Sequence, residues 1–514
     1  MEPERRPGIG RWRTPAALVI AGAALALAYP RFDLSALAWA ALVPLLAAAV
    51  TLPPRSALGW GWLGGTVFFL ALLRWLDYTF RLYSAIPWPL TWLPIAALAA
   101  YCGLYFGLVA LGMAWITGRR GVTSGLVAAP LLWVSGEWLR GWLMGGFPWG
   151  LLGYSQYRVL PVIQVAELTG VYGVSFVIAA ANAALAGFLV LPRRRALVGA
   201  GAAGCLVAAI LLFGGARLAE TTVEPRAPAA SIALMQPSIE QALKWDAVHE
   251  ADTLETYLAL TRQAAAGHPD LVVWPETASP TVFRRDAGLR AVLGAITRRS
   301  GAAILVGSVD VSDIAPIRYY NSAFLVTGQG ITGRYDKMHL VPFGEFVPLS
   351  GVIGFIRSWA EFIADLEPGS APVVFSGPPA PFGVIICYEG IFPELVRAFV
   401  RGGARFMVNM TNDAWFGRTS GPRQHLAMYP LRAVEHRVAI ARAANTGVSA
   451  FIEPTGRISR SAGLFTRGVL ADRVPLRTVT TLYTRLGDWF AYACLAASAA
   501  LVGWAWAGAP RHAE

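Results

Sequence analysis

The sequence predicts a polytopic α-helical membrane domain of about eight spans that carries one layered α/β domain. Three observations lead there. Of the 514 residues, 55% are hydrophobic and only 14% charged, with a mean hydropathy of +0.50; an ordinary soluble domain carries about a quarter charged residues. The apolar residues crowd 14–215 and 488–507, while 230–475 has a mixed, globular composition. In that middle stretch short apolar runs alternate with helical patterns, which is how a layered α/β domain reads.

Seven spans fit the first block: 14–30, 35–52, 57–73, 88–117, 122–143, 162–190 and 196–214. Each has the apolar length to cross, or nearly cross, a hydrocarbon core ~30 Å thick at ~1.5 Å per residue. Together they form a seven-helix domain over 1–215. The α/β domain follows at 228–478, and a final span at 486–508 holds WFAYACLAASAALVGWAWAG, with tryptophans at both ends as in an interfacial belt. The first span has successors and no convincing cleavage context, so it reads as retained rather than as a signal peptide. GWGWLGG at 59–65 lies in a span, and close helix packing accounts for its glycines better than phosphate binding.

The net charge of +12, from 43 basic and 31 acidic residues, raises the possibility of nucleic acid. The distribution points to a bilayer instead. Arg5, Arg6, Arg11 and Arg13 precede the first span, Arg55 follows the second, Arg119 and Arg120 the fourth, and Arg193, Arg194 and Arg195 the sixth. The alternate loops hold fewer: Arg31, then Arg74 and Arg81, then Arg140 and Arg158. By the positive-inside rule both termini are cytoplasmic and the α/β domain lies outside the cytoplasm. Of the four cysteines, Cys102, Cys205 and Cys494 fall in spans, where a thiol behaves as a small apolar group. Cys387 is alone in the exported domain, hence a free or reactive thiol.

Strand candidates in that domain are SIALMQ, DLVVWPE, AAILVGSVD, NSAFLVTG, FGVIICYE, ARFMVNMT and GVSAFIEP; DAVHEADTLETYLALTRQAAAG and IFPELVRAFVRGG read as helices. Three stretches end in reactive groups: Glu276 in LVVWPE, Lys337 and Glu345 in GRYDKMHLVPFGE, and Cys387 in FGVIICYE. Polar groups at strand ends converge on one edge of an α/β sheet. A cysteine attacks as its thiolate and needs a base or a positive charge nearby. Glu276 suits the base, its pKa expected to rise through partial burial. Lys337 suits the oxyanion of a tetrahedral intermediate, and Glu345 suits orienting Lys337 or sharing its proton load. Taken singly, each has an ordinary explanation in packing or surface charge. His339, His425 and His436 show no metal-ligand spacing and read as structural or supporting; no metal or cofactor is expected.

At these residues the chain resembles a known superfamily. WPE, YDKMHLVPFGE, CYE and NMTNDAWFG are similar to the motifs of the nitrilase (carbon–nitrogen hydrolase) superfamily. The resemblance implies an αββα sandwich with a Glu276–Lys337–Cys387 triad and Glu345 as supporting carboxylate. SGEWLRG, GFPWGLLGYSQ and GVYGVSF in the spans, with QALKWD opening the exported domain, resemble the apolipoprotein N-acyltransferase family over nearly the whole chain. That implies a ping-pong reaction at the outer face of a bacterial inner membrane. Cys387 would take an acyl chain from a phospholipid, typically the sn-1 chain of phosphatidylethanolamine. It would pass the chain to the α-amino group of an S-diacylglyceryl-cysteine at a lipoprotein N-terminus. Tyr388 would supply an oxyanion N–H, Glu389 would steady the turn or the substrate, and Trp245 is a candidate substrate contact, although a tryptophan in such a place more often serves packing.

LVPFGEFVPLSGVIGFIRSWAEFIADLEPG follows the lysine and is strongly apolar, with Phe355 and Trp359 among its large side chains. A mobile amphipathic lid touching lipid is the favoured reading, a core helix the alternative. Glu137 and Arg140, near the end of the fifth span, are expected to form a structural ion pair or to meet a lipid headgroup. Two competing functions are a tethered amidase for small C–N substrates and a non-enzymatic transporter or scaffold. Eight spans and an apolar lid disfavour the first; a complete triad and few mid-span charges disfavour the second. Replacing Phe355 and Trp359 by Ser should raise the lipid concentration needed for half-maximal rate and leave the fold intact. Unchanged kinetics on membrane-embedded substrate would remove the lid.

Overall fold

The computed structural model describes residues 13–221, 228–244, 247–347 and 365–507. The chain divides into two units: residues up to Arg74, Pro89–Glu220 and those from Leu486 onward in one, Trp75–Trp88 with Thr221–Arg485 in the other.

The first unit is helical. Its main elements are α1 (Arg13–Ala26), α2 (Val43–Thr51) and α3 (Pro54–Leu72); α4 (Leu76–Tyr83) follows α3 at a bend of 61° but falls in the second unit. Then come α5 (Trp92–Arg120), α6 (Val122–Trp142), α7 (Leu160–Ile163), α8 (Ala166–Thr169), α9 (Val171–Val190) and α10 (Arg193–Thr221), with a last helix at Trp489–Trp506. Among the described residues four helices are long and apolar enough to cross a membrane, or five if the bent pair counts as one span. The four are α5, α9, α10 and the last helix. The expected spans at 14–30, 35–52 and 162–190 appear as shorter or broken helices. The last of these is interrupted at Gly170, whose φ of 67° starts α9 afresh.

The glycine-rich stretch of α3 does pack closely on α5. A Cβ on Gly65 would lie 2.9 Å from Gly103 Cα, and one on Gly107 would lie 2.7 Å from Leu58 O. Small residues of this kind let helix backbones approach. Arg140 bonds to the loop after α6, and Glu137 to that loop and to Trp133 within α6, rather than to each other. Glu137 accepts from Leu152 N at 2.6 Å and Trp133 Nε1 at 3.0 Å, while Arg140 donates to the carbonyls of Phe147 and Trp149 at 2.7 and 2.6 Å. Backbone groups beyond the helix end thus take up the Arg140 charge, and one of them shares Glu137 with the Trp133 indole.

Among its described residues the second unit holds twelve strands: β1 (Ala229–Gln236), β2 (Leu271–Val273), β3 (Ala303–Val311), β4 (Tyr319–Thr327), β5 (Gly330–Asp336), β6 (Val374–Phe375), β7 (Phe382–Ile386), β8 (Phe406–Thr411), β9 (Ile440–Ala444), β10 (Ala450–Ile452), β11 (Ile458–Ser461) and β12 (Gly468–Pro475). They form two six-stranded sheets, ordered β12-β1-β2-β3-β4-β5 and β11-β10-β9-β8-β7-β6. Strand alternation explains the layers. Ile232 and Leu234 of β1 join Leu271, Leu305, Phe382, Val384 and Phe406 in a core shared by both sheets. Ala233 and Met235 point the other way, into a core with Tyr257 and Leu260 of α11 (Glu250–Ala265) and Leu289 and Leu293 of α12 (Ala287–Ser300). On the far side Val396 and Phe399 of α13 (Pro393–Arg401) cover the second sheet. The order is helix, sheet, sheet, helix, as expected.

Gly307 in β3 sets the position of the chain that leaves β2. A Cβ there would sit 2.2 Å from Pro275 O and 2.9 Å from Thr277 N, both backbone atoms. Gly307→Ala should therefore lose about 1–3 kcal/mol in an unfolding titration through overpacking. Gly468→Ala on edge strand β12, where a Cβ meets nothing within 4 Å, should leave stability unchanged.

Candidate active site

Three strands of the second unit each run off their C-terminal end into a polar side chain. β2 leads to Glu276, β5 to Lys337 and β7 to Cys387. All three are buried, Glu276 at 6% and Lys337 at 1% exposure. Lys337 Nζ lies 3.2 Å from Glu276 Oε1 and 2.9 Å from Glu345 Oε1. Asn321, in β4, spans the same two carboxylates with its amide, 2.8 Å to Glu276 and 3.0 Å to Glu345. Its carbonyl also receives the Lys337 N–H at 2.8 Å, which fixes the lysine backbone. Glu345 arrives on a tight turn, its second oxygen accepting from Val341 N at 2.8 Å. The structure thus brings Glu276, Lys337 and Glu345 into one hydrogen-bonded cluster.

Cys387 begins the turn after β7 with φ +51°, a left-handed conformation a β-carbon disfavours. Such strain costs about 1–3 kcal/mol and must be held by its surroundings. Two groups hold it. Tyr429, the first residue of α15 (Tyr429–His436; α14 is Gly421–Leu426), donates its hydroxyl to Cys387 O at 3.0 Å. Glu389 folds back under the turn: one oxygen accepts from Ile386 N at 2.6 Å, the other from Met338 N at 2.7 Å and Tyr335 Oη at 2.7 Å. With both oxygens taken by the protein, Glu389 ties the cysteine turn to the lysine loop. Of the two roles expected for it, this geometry favours steadying the turn, since both oxygens already accept from protein donors.

The electrostatics differ from the expectation for Glu276. Burial pushes its carboxyl up, but the Lys337 charge, the Asn321 amide and Lys244 outweigh that and hold it below the usual carboxylate range. Burial and the Glu276 charge push the Cys387 thiol well up, against the opposing pull of Lys337. The resting site therefore pairs an ionised carboxylate with a neutral thiol.

Sequence reasoning missed several neighbours. Lys244 is buried and donates to Glu276 O at 3.1 Å and Thr277 Oγ1 at 2.6 Å; burial pushes its pKa down to about 8. It sits inside QALKWD, next to Trp245. Asn412 gives its N–H to Glu276 Oε2 at 2.8 Å. Asp413 is bound by Arg442 at 2.7 Å and by His425 Nδ1 at 3.0 Å, and His425 reaches Tyr429 Oη at 3.2 Å. Asn412 and Asp413 belong to NMTNDAWFG, so that motif was the signal. Donor atoms of Cys387, Asp413 and His425 lie within 4.8 Å of one another. A metal ion there would face the Arg442 guanidinium, which already occupies the carboxylate. Tyr388 is buried with its ring edge-on to Phe392 at 5.2 Å. Trp245, Phe355 and Trp359 lie outside the described residues.

Comparison with known proteins covers both units. Residues 21–184 match the family model described as apolipoprotein N-acyltransferase N-terminal domain, and residues 231–483 the one described as carbon-nitrogen hydrolase. An apolipoprotein N-acyltransferase of Geobacter metallireducens is 39% identical over 94% of this chain and 93% of its own. One of Rhodopseudomonas palustris is 33% identical over 93% and 92%. Among solved structures, a double mutant of an amidase from Nesterenkonia sp. AN1 in complex with acrylamide is 22% identical with a TM-score of 0.38, covering 49% of this chain and 93% of that one.

The buried Asp413 cluster makes stability depend on acid pH. Burial raises the Asp413 carboxyl, yet the Arg442 charge and the His425 hydrogen bond bring it from 3.8 down to about 2. Its contribution is present above pH 3.8 and is lost as pH falls through about 2, amounting to about 2 kcal/mol. Unfolding titrations from pH 5 to pH 2 should show that loss in the parent and a shallower slope in Asp413→Asn.

Proposed function

The chain belongs to the apolipoprotein N-acyltransferase family, and from that premise we propose how its own residues carry out the acyl transfer. The family is a bacterial membrane enzyme whose substrates are a phospholipid donor and a lipoprotein acceptor. The supporting observation is the cluster in which Lys337 is shared by Glu276 and Glu345 and placed to act on Cys387.

In the first half-reaction Glu276 accepts the Cys387 S–H proton as sulfur attacks the ester carbonyl carbon of a phospholipid. Because the thiol is held neutral at rest, proton transfer accompanies attack. Lys337 and the Tyr388 backbone N–H stabilise the oxyanion. The carbon–oxygen bond then breaks, Glu276 returns the proton to the departing alkoxide, and a thioester on Cys387 and a lysophospholipid result. In the second half-reaction Glu276 takes one proton from the ammonium of an S-diacylglyceryl-cysteine. The free amine attacks the thioester, the carbon–sulfur bond breaks, and the amine's next proton restores the thiol. The proton left on Glu276 passes to water, so each acyl transfer to an ammonium releases one proton.

The finer assignments belong to the same reading. The donor is phosphatidylethanolamine, used at its sn-1 chain. The stretches at 14–30, 35–52, 57–73, 88–117, 122–143, 162–190, 196–214 and 486–508 are eight spans of the inner membrane. Both termini are cytoplasmic and the 228–478 domain is periplasmic, as the arginine distribution supports. Phe355 and Trp359 belong to a lid that keeps water from the thioester, and Trp245 meets substrate.

Incubation with phospholipid carrying a labelled sn-1 chain should leave an acyl adduct on Cys387, detected by mass spectrometry. Cys387→Ala should abolish it, and Glu276→Gln should slow formation and transfer alike, by about 100-fold or more. A folded wild-type protein that forms no adduct and transfers nothing to a diacylated lipopeptide would overturn this function. Rapid loss of the adduct to water without amine transfer would mark a hydrolase.

A further inference from the structure

The strands and motifs account for Cys387, Lys337 and Glu345 but leave open what fixes the turn that faces Glu276 from the second sheet. That turn, Asn412–Gly417, follows β8 and gives the Asn412 N–H to Glu276 Oε2 at 2.8 Å. A donor on a carboxylate oxygen favours the ionised form, so the turn's placement bears on how strong a base Glu276 is.

The turn packs against a piece of chain from far away in sequence. Trp75–Trp88 falls with the catalytic unit, although the residues on either side, Arg74 and Pro89, belong to the other. Within it Trp75, Thr79 and Tyr83 are spaced i, i+4 and i+8, one stripe of a helix. Every member of the stripe meets the turn or the helix after it. Trp75 Nε1 donates to Gln424 Oε1 at 3.1 Å, and its ring lies edge-on to Phe416 at 4.6 Å. Thr79 Oγ1 donates to Trp415 O at 2.9 Å, and Tyr83 lies edge-on to Trp415 at 4.7 Å. The fit leaves no slack. At Gly417, φ +57°, a Cβ would sit 2.4 Å from the Tyr78 ring, and at Gly421 one would sit 3.0 Å from Trp75. Phe416 in turn packs on His425, the partner of Asp413.

We propose that Trp75, Thr79 and Tyr83 are positioning residues for the acyl-transfer site, holding the Asn412–Gly417 turn so that its first N–H stays on Glu276. The inference rests on Glu276 and Cys387 as base and nucleophile. It adds that the nitrilase-like half is incomplete without a segment encoded between two helices of the N-terminal half. Among the described residues the charged groups around Glu276 are Lys337, Glu345 and Lys244, with Cys387 opposite and Asp413, Arg442 and His425 behind it. The charged pair on the Trp75–Trp88 segment is Asp77 with Arg81, and the contacts of Trp75, Thr79 and Tyr83 go to the turn and to α14.

The test uses full-length protein and the labelled phospholipid, following Cys387 adduct formation from pH 3 to pH 9, because the Glu276 carboxyl is held below the usual carboxylate range. Thr79→Val removes one hydroxyl donor, and Trp75→Phe keeps the aromatic ring but drops the N–H to Gln424. In the double variant the acid limb of the rate profile should move up by about one pKa unit, about tenfold in rate on that limb, with the phospholipid KM unchanged. Thr79→Ser should restore the wild-type profile. A double variant with the wild-type profile, or one slowed equally at every pH, would overturn the proposal. If the double variant fails to fold, Thr79→Val alone against Thr79→Ser gives the same reading with a smaller shift. The wild-type adduct in the same assay checks the underlying reaction separately.

Discussion

The second unit is organised around one ammonium group. Lys337 is buried at 1% exposure, and an isolated charge in such a place costs several kcal/mol. Two carboxylates make it tolerable, and they come from different elements: Glu276 from the end of β2 and Glu345 from the turn at 341–345. Each demands its own support. Asn321 bridges the pair, Asn412 and Val341 supply N–H groups, and Gly307 lets the Glu276 backbone lie against β3. Without the lysine, two carboxylates would face each other in a dry site and one would take a proton. The cation therefore keeps Glu276 ionised, which is the state a base must start from.

That arrangement separates roles that a single group could not fill. A thiol made acidic enough to ionise alone would leave easily and would be a weaker nucleophile. Here burial keeps Cys387 neutral until an ester arrives, and the carboxylate waits nearby in ionised form. The Asp413–Arg442–His425 cluster lies behind the cysteine and supports the turn through Tyr429. In the proposed reaction it sets position, while the Glu276 cluster handles protons.

Much of this was legible because strand ends and reactive residue types coincide in the sequence. FGVIICYE gave a buried strand and its terminal cysteine, and WPE and YDKMHLVPFGE gave the carboxylates and the lysine. What stayed hidden were partners joined only by folding. Asn321 reads as an ordinary strand residue until β4 is laid between β3 and β5. Lys244 reads as a surface charge until its ammonium is found on the Glu276 carbonyl. Glu389 looks like a site residue because it neighbours the cysteine, yet a turn carries it inward onto backbone donors. The pKa of Glu276 went opposite to expectation because burial and Lys337 were visible in the pattern, but the Asn321 amide and the Lys244 charge that add to the lysine were not. In the helical unit, hydropathy marked apolar length but not where Gly170 would break it. Nor did it show that LDYTFRLY would leave its neighbours for the other unit.

The left-handed backbone at Cys387 has a consequence beyond catalysis. Among amino acids only glycine takes that conformation without penalty. Replacing the cysteine by glycine would relieve the strained backbone but would also empty a buried position in the core and loosen the unfolded chain. The thiol side chain thus contributes packing at the place where its backbone costs most, and the turn is held by the balance of the two.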